Sequence, residues 1–156
     1  MTWLAGGERP LTVTAVTQQI KPEIYPKVDD EATVILTYPH AQAILQASWN
    51  WPFDRKDMEV YGRTGYAITV KRDDLRVRRK GESSETSVQA KPLAKPEDDS
   101  LRYFAGVVRK QIRPAGLSSL DTNMIVTEIL DAARESAKTG RMVHLERGET
   151  AATSKR

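Results

Sequence analysis

Hydrophobic and polar residues alternate in short runs between residues 11 and 89 of the chain. Alternation places successive side chains on opposite faces of the backbone, which is typical of β-strands with one covered face. Proline and glycine residues separate the runs, so neighbouring strands are expected to pair in antiparallel hairpins. About seven strands are predicted, over residues 11–19, 32–38, 42–51, 56–61, 66–71, 75–79 and 85–89.

The period of the pattern changes after these strands, where apolar residues recur every three or four positions. This spacing predicts an amphipathic helix over residues 99–112 and a second helix from a cap at Ser118 or Ser119 to Gly140. Residues 142–145 are expected to add a final strand. Strands followed by helices predict the α+β class, as a largely antiparallel open sheet of about six to seven strands with two or more helices packed on one face.

The first ten residues have the composition of a helix end rather than a helix start. Apolar residues precede the pair Gly6-Gly7, and Pro10 follows it. Glycine followed by proline is a common signal that ends a helix. The expected division of the chain is the end of a preceding helix over residues 1–10, an α+β domain over 11–145 and a flexible tail over 146–156.

Composition excludes several kinds of site. The 156 residues include no cysteine, which rules out disulfides, thiolate metal ligands and a cysteine nucleophile. His40 and His144 lack the spacing of a metal site, so no metal is expected. None of the nine glycines forms a phosphate-binding loop of the G-x-G-x-x-G or G-x-x-x-x-G-K-[ST] type, so no cofactor is expected in this chain. No apolar run could span a bilayer, and we expect a cytoplasmic protein without a membrane partner.

Basic residues concentrate in the segment 71–80, whose six basic and two acidic residues give a local charge of +4. The whole chain carries +3, so the remainder sums to −1. Arg76 and Arg78 alternate with Leu75 and Val77, which favours a strand with one solvated, charged face. A polyanion-binding patch is the alternative. Because such a patch is expected to spread over a face and to include aromatic residues, no nucleic-acid partner is expected.

Residues 20–30 form a loop of unusual length with two prolines, and long loops within a domain are often functional. Lys21, Tyr25 and Lys27 would give this loop amine and hydroxyl donors for a polar small molecule. The loop leads into three consecutive carboxylates, Asp29-Asp30-Glu31. The alternative interpretation is a charged start of a strand with solvated carboxylates.

Trp49, Trp51 and Phe53 alternate along the third predicted strand and its end, which predicts an aromatic ridge on one face. Such a ridge is most often part of a core or a subunit interface, and less often a platform that stacks on sugars. The opposite face carries polar, uncharged side chains that suit water or a polar interface. These are Gln46, Ser48 and Asn50.

Two stretches of the sequence resemble the Gfo/Idh/MocA family, which is named after glucose-fructose oxidoreductase, inositol dehydrogenase and a rhizopine-catabolism protein. The first is Ala-Ser-Trp-Asn-Trp-Pro at residues 47–52, followed by Met-Glu-Val-Tyr-Gly-Arg-Thr-Gly-Tyr at 58–66. The second is residues 121–143, which include Ser-Ala-Lys-Thr-Gly-Arg at 136–141 and resemble the last helix of the family. The resemblance covers roughly residues 3–145.

The resemblance implies a fold and a role. Members of the family pair an N-terminal nucleotide domain with a C-terminal α+β domain, and this chain resembles the second part only. It implies the substrate-side and oligomerisation domain of an oxidoreductase that acts on sugars or polyols, with NAD or NADP bound in full-length relatives. No catalytic residue carries over, so the chain is expected to be inactive unless a separate nucleotide-binding domain is supplied.

The resemblance also gives hypothetical site residues. Lys21, Tyr25 and Lys27 are the expected substrate contacts, because the 20–30 loop lies where members of the family reach toward substrate. A homo-oligomer is expected to form through the sheet face, and an alternative is a stand-alone binding or assembly module that self-associates through that face. The hypothetical interface residues are Gln46, Ser48, Trp49 and Trp51.

Overall fold

The computed structural model describes residues 1–71 and 73–145, and the predicted flexible tail over 146–156 lies outside these residues. The chain divides into two compact units, a first unit of Met1–Trp51 with Pro114–Arg156 and a second unit of Pro52–Arg113. The elements are β1 (Thr12–Gln18), β2 (Glu31–Thr37), β3 (Gln42–Ser48), β4 (Glu59–Gly62), β5 (Gly65–Thr69), β6 (Asp74–Arg79), β7 (Thr86–Gln89), α1 (Ser100–Val108), α2 (Leu120–Thr139) and β8 (Val143–His144), with a short 3₁₀ turn at Gly116–Ser118.

The first unit is built on a four-stranded antiparallel sheet in the order β3-β2-β1-β8. Val13 of β1 lies opposite Leu36 of β2, which in turn lies opposite Ala43 of β3. All three side chains are buried in one core with Ile125 and Ile129 of α2. The helix covers this face because its apolar residues recur at the spacing that the sequence predicts, and the other face of the sheet stays open.

α2 begins and ends where the sequence predicts. The Ser119 hydroxyl accepts the backbone N–H of Thr122 at 3.2 Å, and Gly140 ends the helix in the left-handed conformation with φ of +67°. Ser136 joins the helix to the sheet, because its buried hydroxyl oxygen accepts the backbone N–H of Ala15 at 2.9 Å. β8 pairs only with Thr12 and Val13 of β1, and α2 supplies the acceptor for the next inward-facing residue, Ala15.

The start of the chain has the hydrogen-bond pattern of a helix C-terminal cap. The N–H of Gly7 donates to the carbonyl of Thr2 at 2.9 Å, and the N–H of Gly6 donates to the carbonyl of Trp3 at 3.1 Å. Gly6 has a φ of +70°, which a residue with a side chain would rarely adopt. These are the two bonds and the left-handed residue of the Schellman motif. The expected division of the chain into 1–10, 11–145 and 146–156 stays a prediction.

The second unit contains a four-stranded antiparallel sheet in the order β4-β5-β6-β7, so its strands follow one another as predicted hairpins. Tyr66 of β5 lies opposite Tyr61 of β4 on one side and opposite Arg78 of β6 on the other. Arg76 and Arg78 thus share one face of β6, as the alternation predicts, while Val77 lies on the other.

α1 is shorter than the predicted helix over 99–112. Asp99 caps its start by accepting the backbone N–H of Arg102 at 2.9 Å. The helix ends at Val108, because the chain turns back so that Ile112 donates its N–H to the carbonyl of Gly106 at 3.2 Å. A side chain at Gly106 would clash with Ile112, since a Cβ there would lie 2.4 Å from the Cδ1 of Ile112.

The α+β class is confirmed, but the single open sheet is a correction: the described residues form two sheets of four strands each. The predicted strand over 42–51 ends at Ser48. Pro52 follows and has no N–H to donate to a strand ladder. β3 and β4 therefore belong to different sheets. Of the two helices, α2 packs on a sheet, whereas Leu101, Phe104 and Val108 of α1 are exposed. Within the described residues, no helix is both long and apolar enough to cross a bilayer.

Candidate functional site

The candidate site is the 20–30 loop together with the end of β3. Asp30 closes the loop, because its carboxylate accepts the backbone N–H of Ile20 at 2.7 Å and of Lys21 at 2.8 Å. Only 3% of Asp30 is exposed, so the interpretation of solvated carboxylates is wrong for this residue. The side chain instead fixes the start of the loop to its end.

The backbone of Asp30 binds both neighbouring strands. Its N–H donates to the carbonyl of Gln18 at 3.0 Å, and its carbonyl accepts the N–H of Trp49 at 2.9 Å and the side-chain amide of Asn50 at 3.2 Å. One residue therefore holds the end of β1, the loop and the chain that leaves β3. Sequence reasoning named Asp30 as part of a charged triplet but missed this anchoring role.

The pKa of Asp30 results from two opposing causes. Burial raises it, but the N–H groups of Ile20 and Lys21 and the amide of Asn50 stabilise the charged form more strongly, so the pKa lies below its usual value. The carboxylate is consequently ionised at neutral pH. An ionised group with several donors around it is well suited to hold a loop and is a poor proton donor.

Asn50 links Asp30 to a second polar group on the open face. Its side-chain amide donates to Oε2 of Glu31 at 3.1 Å, and the same oxygen accepts the hydroxyl of Ser48. The backbone N–H of Asn50 donates to the Ser48 hydroxyl at 3.0 Å. The Oδ1 of Asn50 is buried and has no hydrogen-bond partner in the described part of the chain.

An aromatic pair joins the loop to the residue between Ser48 and Asn50. The rings of Tyr25 and Trp49 have centroids 5.0 Å apart at an angle of 54°, and 60% of Trp49 is exposed. Lys21 lies in the same turn, because the N–H of Tyr25 donates to the carbonyl of Lys21 at 2.9 Å. The structure thus brings Lys21 and Tyr25 together with Trp49. Lys27 is exposed in the same loop and takes part in none of the hydrogen bonds that fix it among the described residues.

The predicted interface residues lie partly on β3 and partly after its end. Gln46 and Ser48 lie on the open face of the first sheet, as predicted, and Gln46 is opposite Thr33 of β2. Trp49 and Trp51 come after the end of β3 and so lie outside the strand on which they were predicted. The open face also carries Val16 and Ile44, which are each 64% exposed.

The site offers ammonium and hydroxyl donors and aromatic surface, a set that suits a small hydroxylated molecule. Both sheets are antiparallel, whereas the phosphate loop of dinucleotide-binding folds joins parallel strands, so the described residues contain no loop of that kind. In the same residues no group of three or more His, Cys, Asp or Glu side chains could hold a metal ion.

Comparison with known protein families supports the resemblance found in the sequence. Residues 1–68 match the GFO/IDH/MocA C-terminal domain. The predicted resemblance is confirmed. A comparison with curated proteins found no match.

Solved structures share the fold of this chain. A protein from Thermotoga maritima has a TM-score of 0.74 and 17% identity over 92% of this chain and 43% of its own. An oxidoreductase from Agrobacterium radiobacter, in complex with NAD+, L-tartaric acid and magnesium, has a TM-score of 0.68 and 21% identity over 92% of this chain and 45% of its own. Aldose-aldose oxidoreductase from Caulobacter crescentus, complexed with glycerol, has a TM-score of 0.69 and 18% identity over 89% and 42%. The chain therefore spans less than half the length of these structures.

Proposed function

We propose that this chain is the substrate-side and oligomerisation domain of a cytoplasmic, NAD(P)-dependent oxidoreductase of the Gfo/Idh/MocA type that acts on sugars or polyols. The observation that carries the proposal is the match of residues 1–68 to the C-terminal domain of that family. A fold shared over 92% of the chain supports it. A separate nucleotide-binding domain supplies the dinucleotide, and the chain is inactive alone.

The substrate class is proposed from the site and from two relatives. The Agrobacterium structure holds L-tartaric acid beside NAD+ and magnesium, and the Caulobacter structure holds glycerol. L-Tartaric acid and glycerol are both hydroxylated. In this chain the proposed contacts are Lys21, Tyr25 and Lys27. An ammonium group donates to a hydroxyl or carboxylate oxygen, and the Tyr25–Trp49 pair can cover the C–H groups of a sugar or polyol.

Titration of the purified chain with glycerol, L-tartrate and glucose tests the substrate class. We expect one of them to bind, with shifts in the NMR signals of the Trp49 indole. Lys21→Ala should weaken this binding about tenfold, since a hydrogen bond to a charged group is lost. Lys91→Ala, a change of the same kind outside the loop, is the matched control. Equal affinity in the two variants would remove Lys21 from the site.

The purified chain also serves to test whether dinucleotide binding requires another domain. We expect no detectable binding of NAD+ or NADP+ at micromolar concentrations by calorimetry, because the chain offers no glycine loop for the phosphates. Micromolar affinity of the isolated chain for either dinucleotide contradicts the proposed division of labour. In that case the oxidoreductase activity of the isolated chain has to be measured without an added nucleotide-binding domain.

A second candidate is a stand-alone assembly module, and the open face of the first sheet favours it. Val16 and Ile44 are exposed apolar side chains among the polar residues of this face. For both candidates we expect self-association that Ile44→Glu weakens in sedimentation experiments. Self-association without binding of any of the three hydroxylated ligands would favour the module over the oxidoreductase domain.

A further inference from the structure

The contacts proposed for the 20–30 loop supply hydrogen-bond donors but no charged acceptor. The ammonium groups of Lys21 and Lys27 can only donate, and the Tyr25 hydroxyl is the one group among the three that also accepts. Each hydroxyl group of a sugar or polyol has a hydrogen to donate as well as an oxygen that accepts. A site that binds such a molecule therefore needs a strong acceptor close to these donors.

Glu31, which follows Asp30 at the end of the loop, is placed to supply this acceptor. It lies on β2 between Gln18 of β1 and Ser48 of β3. Residues directly opposite each other in antiparallel strands point to the same side of a sheet, so these three side chains share the open face. Glu31 is half-buried and Gln18 is exposed. The row lies at the end of the sheet where the loop leaves β1 and enters β2.

One oxygen of the Glu31 carboxylate is held in place by the fold. The Ser48 hydroxyl donates to Oε2, and the side-chain amide of Asn50 donates to the same oxygen at 3.1 Å. The backbone N–H of Asn50 donates to the Ser48 hydroxyl oxygen at 3.0 Å, which leaves the hydroxyl hydrogen for Glu31. Two donors of fixed position therefore orient the carboxylate.

The second oxygen of Glu31 keeps its capacity to accept. Oε1 takes no hydrogen bond from residues 1–71 and 73–145, and none of the ion pairs among them includes Glu31. A carboxylate has about four lone-pair sites, of which Ser48 and Asn50 use two. The remaining sites are enough for two hydroxyl groups of one ligand.

This acceptor is connected to the donors of the loop through the aromatic pair. Trp49 lies between Ser48 and Asn50 in the chain, and its ring contacts Tyr25. The N–H of Tyr25 in turn donates to the carbonyl of Lys21. The loop donors, the aromatic surface and the carboxylate thus belong to one continuous group of residues.

We propose that Glu31 is the hydroxyl acceptor of this site and selects an uncharged sugar or polyol over the corresponding acid, with Ser48 and Asn50 as its positioning residues. The selection follows from charge, because a hydroxyl group of the ligand donates to the carboxylate whereas a carboxylate of the ligand is repelled by it. The inference rests on the proposed function, to which it adds the charge class of the substrate.

Glucose and glucuronate test the inference, since they differ only in a hydroxymethyl group that a carboxylate replaces. Both are titrated into the isotope-labelled full chain, and the NMR signals of the Asn50 side-chain amide, which contacts Glu31, report binding. We expect tighter binding of glucose. Glu31→Gln keeps the shape of the side chain but removes its charge and puts an N–H donor in place of one oxygen. It should lower the affinity for glucose about tenfold and shift the affinity ratio toward glucuronate.

Asp29→Asn is the matched control, because it removes the same charge from an exposed side chain of the same acidic triplet that has no hydrogen bond or ion pair among the described residues. It should leave the affinity ratio unchanged. Lys21 and Lys27 attract glucuronate in every variant, so the comparison isolates the charge at position 31. A purely structural role of Glu31 lowers both affinities together without changing their ratio.

Variants at Ser48 test the positioning role. Ser48→Ala leaves the charge of Glu31 in place but removes a donor that orients it, and it should lower the affinity for glucose about threefold. Ser48→Thr keeps the hydroxyl group and should restore the affinity. Equal affinities of the two variants remove Ser48 from the proposed group.

The outcomes separate this inference from the proposed function. If the parent chain binds glucose and this binding depends on Lys21 but not on Glu31, the inference fails and the proposed substrate class stands. An affinity ratio that Glu31→Gln and Asp29→Asn change equally also overturns the inference. If the parent chain binds neither ligand, nor glycerol or L-tartrate, the inference and the proposed substrate class fail together.

Discussion

The two units of this chain contain similar antiparallel sheets but differ in how they bury apolar side chains. In the first unit α2 covers one face of the sheet, and the core includes Val13, Leu36 and Ile129. Every buried hydrophobic side chain in the part of the chain that the structure describes lies in this unit. In the second unit Leu75 and Val77 are only half-buried.

The two sheets therefore depend on different interactions for their stability. The first sheet is stabilised mainly by apolar burial under a helix. The second depends on its ladder hydrogen bonds and on surface pairs such as Arg76–Glu85, which contribute little individually. A sheet of the second kind therefore has less apolar burial to stabilise it.

The largest expected effect comes from a matched pair of leucine truncations, one in each unit. Leu36→Ala removes a side chain that is 1% exposed, and it should lower the free energy of unfolding by about 2–5 kcal/mol. Leu75→Ala, in a half-buried position, should cost at most about 1 kcal/mol. Urea unfolding monitored by circular dichroism measures both. Equal losses would show that the second unit has a core as tight as the first.

A smaller effect is expected at the hydrogen bond between α2 and β1. Ser136→Ala leaves the buried N–H of Ala15 without its acceptor, which should cost about 1–3 kcal/mol. Ser87→Ala on the exposed strand β7 is the corresponding change in the second unit and should cost less than about 0.5 kcal/mol. Thermal unfolding of the two variants gives the comparison. A stable Ser136→Ala variant would mean that water or another group reaches the Ala15 amide.

The same contrast explains which parts of the fold were predictable from sequence. Strands and α2 have local signals, namely alternation, apolar spacing and the caps Ser119 and Gly140, and these were confirmed. The number of sheets has no local signal, because it depends on whether β3 and β4 pair across the stretch around Pro52. The end of α1 at Val108 likewise depends on contact between Gly106 and Ile112, which periodicity does not report.

The candidate site was predictable only as a region. Loop length and the donors Lys21 and Tyr25 marked the 20–30 loop, and both residues lie in one turn. The anchoring role of Asp30 was missed, because a carboxylate in a run of three acidic residues resembles a solvated one in sequence. Asp30 differs from a solvated carboxylate because it is buried and accepts the backbone N–H groups of Ile20 and Lys21. No sequence pattern reports these contacts.

The smallest expected effect is a pH dependence that belongs to the first unit. Because the pKa of Asp30 in the folded chain lies below its usual value, its ionised form stabilises the fold. This contribution is present above the pKa of the unfolded chain, about 4, and is lost as the pH falls through the lower folded value. Asp30→Asn should therefore reduce the thermal midpoint at pH 7 and flatten its decline toward pH 3. Glu85→Gln in the second unit is the matched control, since Glu85 is a surface carboxylate that binds Tyr66 and Arg76. If Asp30→Asn follows the same pH profile as the parent chain, the loop is held by its backbone and by Trp49 packing rather than by the carboxylate.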